Sequence, residues 1–140
     1  LVYSPLKEIN ILSTNTNKYS VNTVDLGNNT YLRLNVLGNE EISVEDVKAI
    51  AQSCKNAGGG RVLPLLIKVD KYTLPSAEAR KFIAQADSNP YAKAEAYVIS
   101  DLPQKIVGNF FLKFDKPARP TKMFTKEEEA MEWLKQFFDK

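Results

Sequence analysis

The chain has 140 residues, 44% hydrophobic and 26% charged, with 19 basic against 17 acidic side chains for a net charge of +2. That length suits one domain able to bury its own core, and the composition excludes a disordered or fibrous chain. The near balance of charge removes the basic excess that marks most nucleic-acid binders.

A single cysteine, Cys54, excludes an internal disulfide and any Cys-rich metal site, which points to a reducing compartment, the cytoplasm. No apolar run reaches the ~18 residues a membrane-spanning helix needs, and the N-terminus shows no basic-then-apolar signal pattern. The chain begins at Leu1 rather than at a methionine, which leaves open an upstream segment.

Residues 1–17 hold a short apolar stretch, Ile9-Asn10-Ile11-Leu12, and then the polar tract Ser13-Thr14-Asn15-Thr16-Asn17, read as an edge strand and a loop. Apolar and polar residues alternate over 19–26 and 30–37, with Gly27-Asn28-Asn29 between them. Gly and Asn tolerate the positive φ of a tight turn, so this predicts a hairpin. Ser43 opens a helix on which Val44, Val47, Ile50, Ala51 and Cys54 recur at helical spacing, with Asp46 placed to complete the cap. Gly58-Gly59-Gly60 ends it.

The near-continuous apolar run 62–69 predicts a central strand covered on both faces, and 75–86 carries Ala79, Phe82, Ile83 and Ala86 at helical spacing. The alternation then recurs. Residues 94–100 form a strand, and 102–114 a helix with the stripe Ile106, Val107, Phe110, Phe111 and Phe114. Residues 121–124 form a brief strand, and Thr125 with Glu128 reads as a capping box before the stripe Ala130, Trp133, Leu134, Phe137 and Phe138. The order predicts an α/β fold: a mixed sheet of about five strands with a parallel core, an N-terminal hairpin leading into strand-helix repeats. Residues 1–140 read as one domain, with 1–17 as an N-terminal extension.

Histidine is absent, which removes Ser-His and Cys-His nucleophile activation, imidazole acid-base work and imidazole zinc sites. The acids Asp46, Glu78 and Glu127 to Glu129 fall on caps and helix faces, so no catalytic set assembles and the chain is not expected to be an enzyme. Neither cofactor nor metal is expected. The glycines at 58–60 close a helix and precede a strand, the reverse of a phosphate-binding loop.

Two segments remain as candidates. Lys105, Lys113, Lys116, Arg119, Lys122 and Lys126 stand against Asp115 alone, a basic cluster able to meet phosphates or an anionic surface. With it goes the aromatic stripe Phe110, Phe111 and Phe114, which could line a ligand pocket or a partner groove, although helical spacing equally suits core packing. Phe110, Phe111, Phe114, Lys113 and Arg119 therefore form one candidate ligand or partner surface. The second candidate is Ser76, at a helix start near the C-terminal edge of the central strand with Asp70 and Lys71, where a phosphate would be favoured by the helix N-terminus.

The runs Leu63-Pro64-Leu65-Leu66-Ile67-Lys68-Val69-Asp70, Ser76-Ala77-Glu78-Ala79-Arg80 and Val107-Gly108-Asn109-Phe110-Phe111-Leu112 resemble an uncharacterised family of small bacterial proteins. So do Lys116-Pro117, Pro120-Thr121 and the run from Phe124 to Leu134. The resemblance spans roughly 30–138. That family is similar in fold to SpoIIAA, the anti-sigma factor antagonist, and to STAS domains. The resemblance implies successive βα units and a regulatory protein-binding role, with phosphorylation of a serine at the position of Ser76. The antagonist's Asp-Ser-Ser-Gly signature is absent; the chain reads Leu74-Pro75-Ser76-Ala77. Related domains resemble lipid-carrying folds in which helices part over an apolar cavity.

The expectation is a cytoplasmic, non-enzymatic regulatory module that docks the edge of its sheet and its following helices onto a protein, a second copy of itself included. The alternative is a small-molecule or lipid binder built on the 102–114 helix and its basic neighbours. Nucleic acid is not an expected partner.

Overall fold

The structure, a computed structural model, describes residues 14–139, so the strand expected at Ile9 to Leu12 lies outside the described residues. Strand β1 (Thr14–Asn15) falls where the sequence suggested a loop, and pairs antiparallel with β2 (Tyr19–Asp25). The hairpin continues into β3 (Thr30–Val36), in a register that sets Tyr19 opposite Val36 and Asp25 opposite Thr30. Its turn is closed by Leu26 N–H donating to Asn29 C=O at 2.7 Å, with Gly27 at φ +86°, the conformation for which glycine is suited.

Ser43 caps α1 (Val44–Gly58) with both arms of the expected box in place: Asp46 N–H donates to Ser43 Oγ at 3.1 Å, and Ser43 N–H to Asp46 Oδ2 at 2.9 Å. Gly59, at φ +63°, ends the helix in the left-handed conformation. Strand β5 (Leu63–Val69) runs parallel to β3, β7 (Ala92–Val98) parallel to β5, and β8 (Thr121–Phe124) parallel to β7. The sheet order is β1-β2-β3-β5-β7-β8, the mixed sheet with a parallel core that the element order requires. Two short strands that the sequence did not announce, β4 (Glu41–Ile42) and β6 (Leu74–Pro75), pair parallel beside it.

Helix α2 (Ala77–Ile83) leads through a 3-10 turn (Ala86–Ser88) into β7, and α3 (Leu102–Phe110) connects β7 to β8. Helix α4 (Glu127–Leu134) follows β8 and runs into a 3-10 turn (Lys135–Phe137).

The pleat divides the core. Leu32, Leu34, Leu65 and Ile67 point to the face covered by α1 and α2, where Val47, Ile50, Cys54 and Ala79 meet them. Tyr31, Leu66, Ala94 and Ala96 point to the other face, against Ala130 and Leu134 of α4. Continuous apolar runs such as β5 follow from this double burial.

The capping box expected at Thr125 and Glu128 does not form. Helix α4 starts at Glu127 with Lys126 as an N-cap whose side chain makes no capping bond. Glu127 instead holds Arg33 of β3 through two hydrogen bonds, Nη1 to Oε2 at 2.9 Å and Nη2 to Oε1 at 3.0 Å. This pair lowers the Glu127 pKa below its ordinary value. A long-range pair thus sets the helix start in place of a local one.

Leu66→Ala, which opens a space between β5 and α4, is expected to lower unfolding free energy by about 3 kcal/mol. Urea denaturation should show this with an unchanged m-value.

Candidate functional site

Helix α3 begins at a second reciprocal cap: Gln104 N–H donates to Asp101 Oδ1 at 2.8 Å, while Gln104 Oε1 accepts from Asp101 N–H at 3.4 Å and also from Ser100 N–H at 2.9 Å. Its C-terminal end widens into a π turn (Phe111–Asp115), with Lys116 N–H reaching Phe111 C=O at 3.0 Å. The side facing the sheet carries Gln104, Gly108 and Phe111, all buried. Gly108 allows close approach to β8, since a Cβ there would stand 3.3 Å from the Met123 side chain. Phe111 meets Tyr97 of β7 edge-on, with ring centroids 6.3 Å apart.

The aromatic stripe expected in one place is therefore divided. Phe111 is core, whereas Leu102, Ile106, Phe110 and Phe114 lie on the outer face, 68%, 60%, 43% and 60% exposed. Their spacing of four residues makes a continuous apolar line along one side of the helix. Phe110 and Phe114 lie with ring centroids 4.7 Å apart, and the Arg80 guanidinium sits over Phe110 at 4.6 Å. Tyr72 extends the line at its N-terminal end: its N–H donates to Asp101 Oδ2 at 2.7 Å, and it is exposed at φ +68°, a conformation uncommon for an aromatic residue.

The basic residues also separate. Lys105, Lys113, Lys116, Lys122 and Lys126 are exposed, and Lys105 and Lys122 share a shallow groove beside α3 with Asn109 and Glu129. Arg119, expected on that surface, is not part of it: its side chain is 8% exposed and is turned into the protein. There Nη1 donates to Glu95 Oε2 and to Ile83 C=O, both at 3.3 Å, and Nη2 to the carbonyls of Gln85 at 3.2 Å and Ala86 at 3.1 Å. Ser88 Oγ and the Asn89 carbonyl accept from the same nitrogen. A buried carboxylate draws the guanidinium inward, because an unpaired charge at that depth is costly.

Sequence reasoning did not single out Glu95. It is 3% exposed, accepts from Tyr97 Oη at 3.0 Å, and has its pKa raised by burial, which outweighs the opposing pull of Arg119. Burial and the neighbouring Glu95 charge push Tyr97 well above its ordinary value. Cys54, fully buried nearby, is raised by burial to about 11 and is an inert thiol in that setting. The available signal was the pattern Ala94-Glu95-Ala96-Tyr97: in a strand buried on both faces, Glu95 and Tyr97 share one face and must be partnered inside. Among the described residues, no group of three Cys, Asp or Glu side chains is gathered as a metal ion would require.

Ser76 is the N-cap of α2, its Oγ accepting from Ala79 N–H at 3.0 Å and its own N–H donating to Ile42 C=O at 2.9 Å. Asp70 Oδ2 accepts from Gly38 N–H at 3.3 Å, and Lys71 is exposed. The loops at this edge are sewn together, with Gln104 Nε2 donating to the Asp70 and Thr73 carbonyls and Thr73 Oγ1 to the Gly38 carbonyl.

Arg119→Met, which strands Glu95, is expected to cost about 3 kcal/mol or more in chemical denaturation, and adding Glu95→Gln should restore part of it. Because the folded pKa of Glu95 lies above its ordinary 4.5, the stability it contributes is fully present below that value and is lost as pH rises through the folded pKa. Glu95→Gln should remove this component, so the stability of the parent relative to Glu95→Gln falls as pH is raised from the acid side.

Comparison with known proteins places this architecture without naming an activity. The chain is similar to an uncharacterised protein of the DUF3478 family with a SpoIIAA-like fold from Shewanella loihica PV-4, at a TM-score of 0.57 and 18% identity over 87% of this chain and 98% of that one. At that identity the likeness is one of fold. No curated protein matches. A family model described as a domain of unknown function, DUF7793, matches residues 28–138, from the hairpin turn through α4, and the chain belongs to that family.

Proposed function

We propose that this domain is a non-catalytic protein-docking module whose contact surface is the outer face of α3 together with the adjoining sheet edge at β8. The observation that carries this reading is the exposed line Leu102, Ile106, Phe110 and Phe114, continued by Tyr72. Soluble domains seldom leave a continuous apolar line on an amphipathic helix without a partner to cover it.

Charge supports a partner with an acidic rim. Lys105, Lys113, Lys116 and Lys122 border the line. The acids of the same segment are already engaged, Asp101 by the backbone N–H groups of Tyr72 and Gln104 and Asp115 by Arg80 at 2.6 Å. The surface thus offers apolar contact at its centre and an excess of positive charge around it, Glu129 being the acid that shares the groove of Lys105 and Lys122, an arrangement that favours encounter with an acidic partner. Leu102 and Tyr72 sit where the loops following β5 and β7 meet, held by Gln104, so the docking face has a rigid base.

A photo-crosslinker at position 106 should capture one stoichiometric protein partner in cells of the source organism, whereas one at Lys55 on the exposed side of α1 should not. With that partner purified, Ile106→Glu combined with Phe110→Glu should weaken binding ~30-fold or more while changing folding stability by less than ~0.5 kcal/mol. Unchanged affinity in the double variant would overturn the reading. So would crosslinks to a second copy of the chain only, or capture by anionic vesicles with no protein partner.

A further inference from the structure

We infer that the cavity beneath α2 is a binding site for a small linear molecule with a hydrocarbon body and one uncharged hydroxyl end, the hydroxyl lying against Glu95. This goes beyond the docking role and is independent of it, since it uses the inward side of α3 and the outer line not at all.

The cavity has two parts. The larger, about 110 Å³, lies between the sheet and α1, walled by Leu34, Ile50, Leu65 and Ile67, and it reaches Glu95 and Asn89. The smaller, about 80 Å³, lies between α2 and α3 against Val107, Phe111 and Met123. Ile83 and Tyr97 border both parts, as does the short segment Thr73 to Pro75, so the two are neighbours under a single roof. Both parts open partly toward solvent, yet their walls are almost wholly carbon, which is room of the kind that apolar ligands occupy.

Size and shape restrict the occupant. Each part is smaller than the ~150 Å³ apolar cavity known to admit benzene, so neither accommodates a ring comfortably. A narrow chain running past Tyr97 and Ile83 from one part into the other fits the pair.

Chemistry restricts it further. At the inner end, the two Glu95 oxygens each accept one protein hydrogen bond and keep capacity for another. Among the described residues, Asn89 Nδ2 donates only to the Cys54 sulfur, a weak acceptor at 3.5 Å. A hydroxyl can donate to Glu95 and accept from Asn89. A carboxylate or phosphate end would set an anion against the Glu95 carboxyl oxygens, and neither guanidinium at the cavity, Arg119 or Arg80, is free to receive it. The terminal nitrogens of Arg119 are bound to Glu95 and to the turn that follows α2, and Arg80, at the rim of the smaller part, is held by Asp115. A charged ammonium end would have to shed its water in an apolar chamber whose one acid is already paired.

The probe is 1-hexanol, titrated into the 140-residue protein at neutral pH and followed by methyl NMR, with hexanoate as the charged counterpart. Hexanol should give saturable shifts at Ile50, Ile67 and Ile83, and hexanoate should bind at least ~10-fold more weakly, the scale of one hydrogen bond to a charged group. Glu95→Gln should narrow that preference. Ile83→Trp should abolish binding by filling the shared wall, and Ile50→Phe blocks the larger part independently should the first variant not fold. Shifts confined to the exposed Leu102 and Ile106 would overturn the inference while leaving the docking surface intact. Non-saturating shifts, equal binding of hexanoate, or full binding in both filled variants would overturn it as well.

Discussion

The internal organisation of the domain rests on one buried ion pair, Arg119 with Glu95. The guanidinium comes from the segment leading into β8, the carboxylate from β7, and the carbonyls that share the guanidinium belong to the end of α2 and the turn after it. A single side chain therefore holds a strand, a helix terminus and a connection in register. The electrostatics are mutually consistent: carbonyls at a helix C-terminus favour a cation, and the cation offsets part of the burial that raises the Glu95 pKa. Such a pair adds little net stability compared with apolar packing, but loss of one partner leaves the other stranded, so it strongly constrains which arrangement the chain can adopt.

Helix α2 depends on that pair for its position, and the apolar chamber depends on α2. The helix has only seven residues and presents one buried side chain, Ala79. It is held at its start by the Ser76 cap, at its middle by Arg80 on Asp115, and at its end by Arg119. Phe82 and Ile83 add partly buried packing against the core, and Ile83 walls the space beneath the helix.

Helix α3 shows how one element serves two surfaces. Gly108 brings it close to β8, Gln104 ties it to the loops after β5, and Phe111 fills the interior. More apolar residues remain than the buried arc can take, and those left over form the exposed line. The chain shares its fold with its structural neighbour from Shewanella loihica.

Periodicity and caps are local, so the sequence by itself determined the hairpin with Gly27 at its turn, the Ser43 box, the end of α1 at Gly59 and the alternation that forces a parallel core. The resemblance to a SpoIIAA-like family was legible in the same way, from runs such as Leu63 to Asp70. Which side of a helical stripe faces inward was not legible, since Ile106, Phe110 and Phe111 have the same apolar character and only the approach of β8 at Gly108 selects among them. Nor was the start of α4, where Arg33, 94 positions away in sequence, replaces the local cap. The burial of Arg119 and Glu95, 24 positions apart, was likewise decided by tertiary structure, because a charge is drawn inside only when folding supplies both its partner and the carbonyls around it.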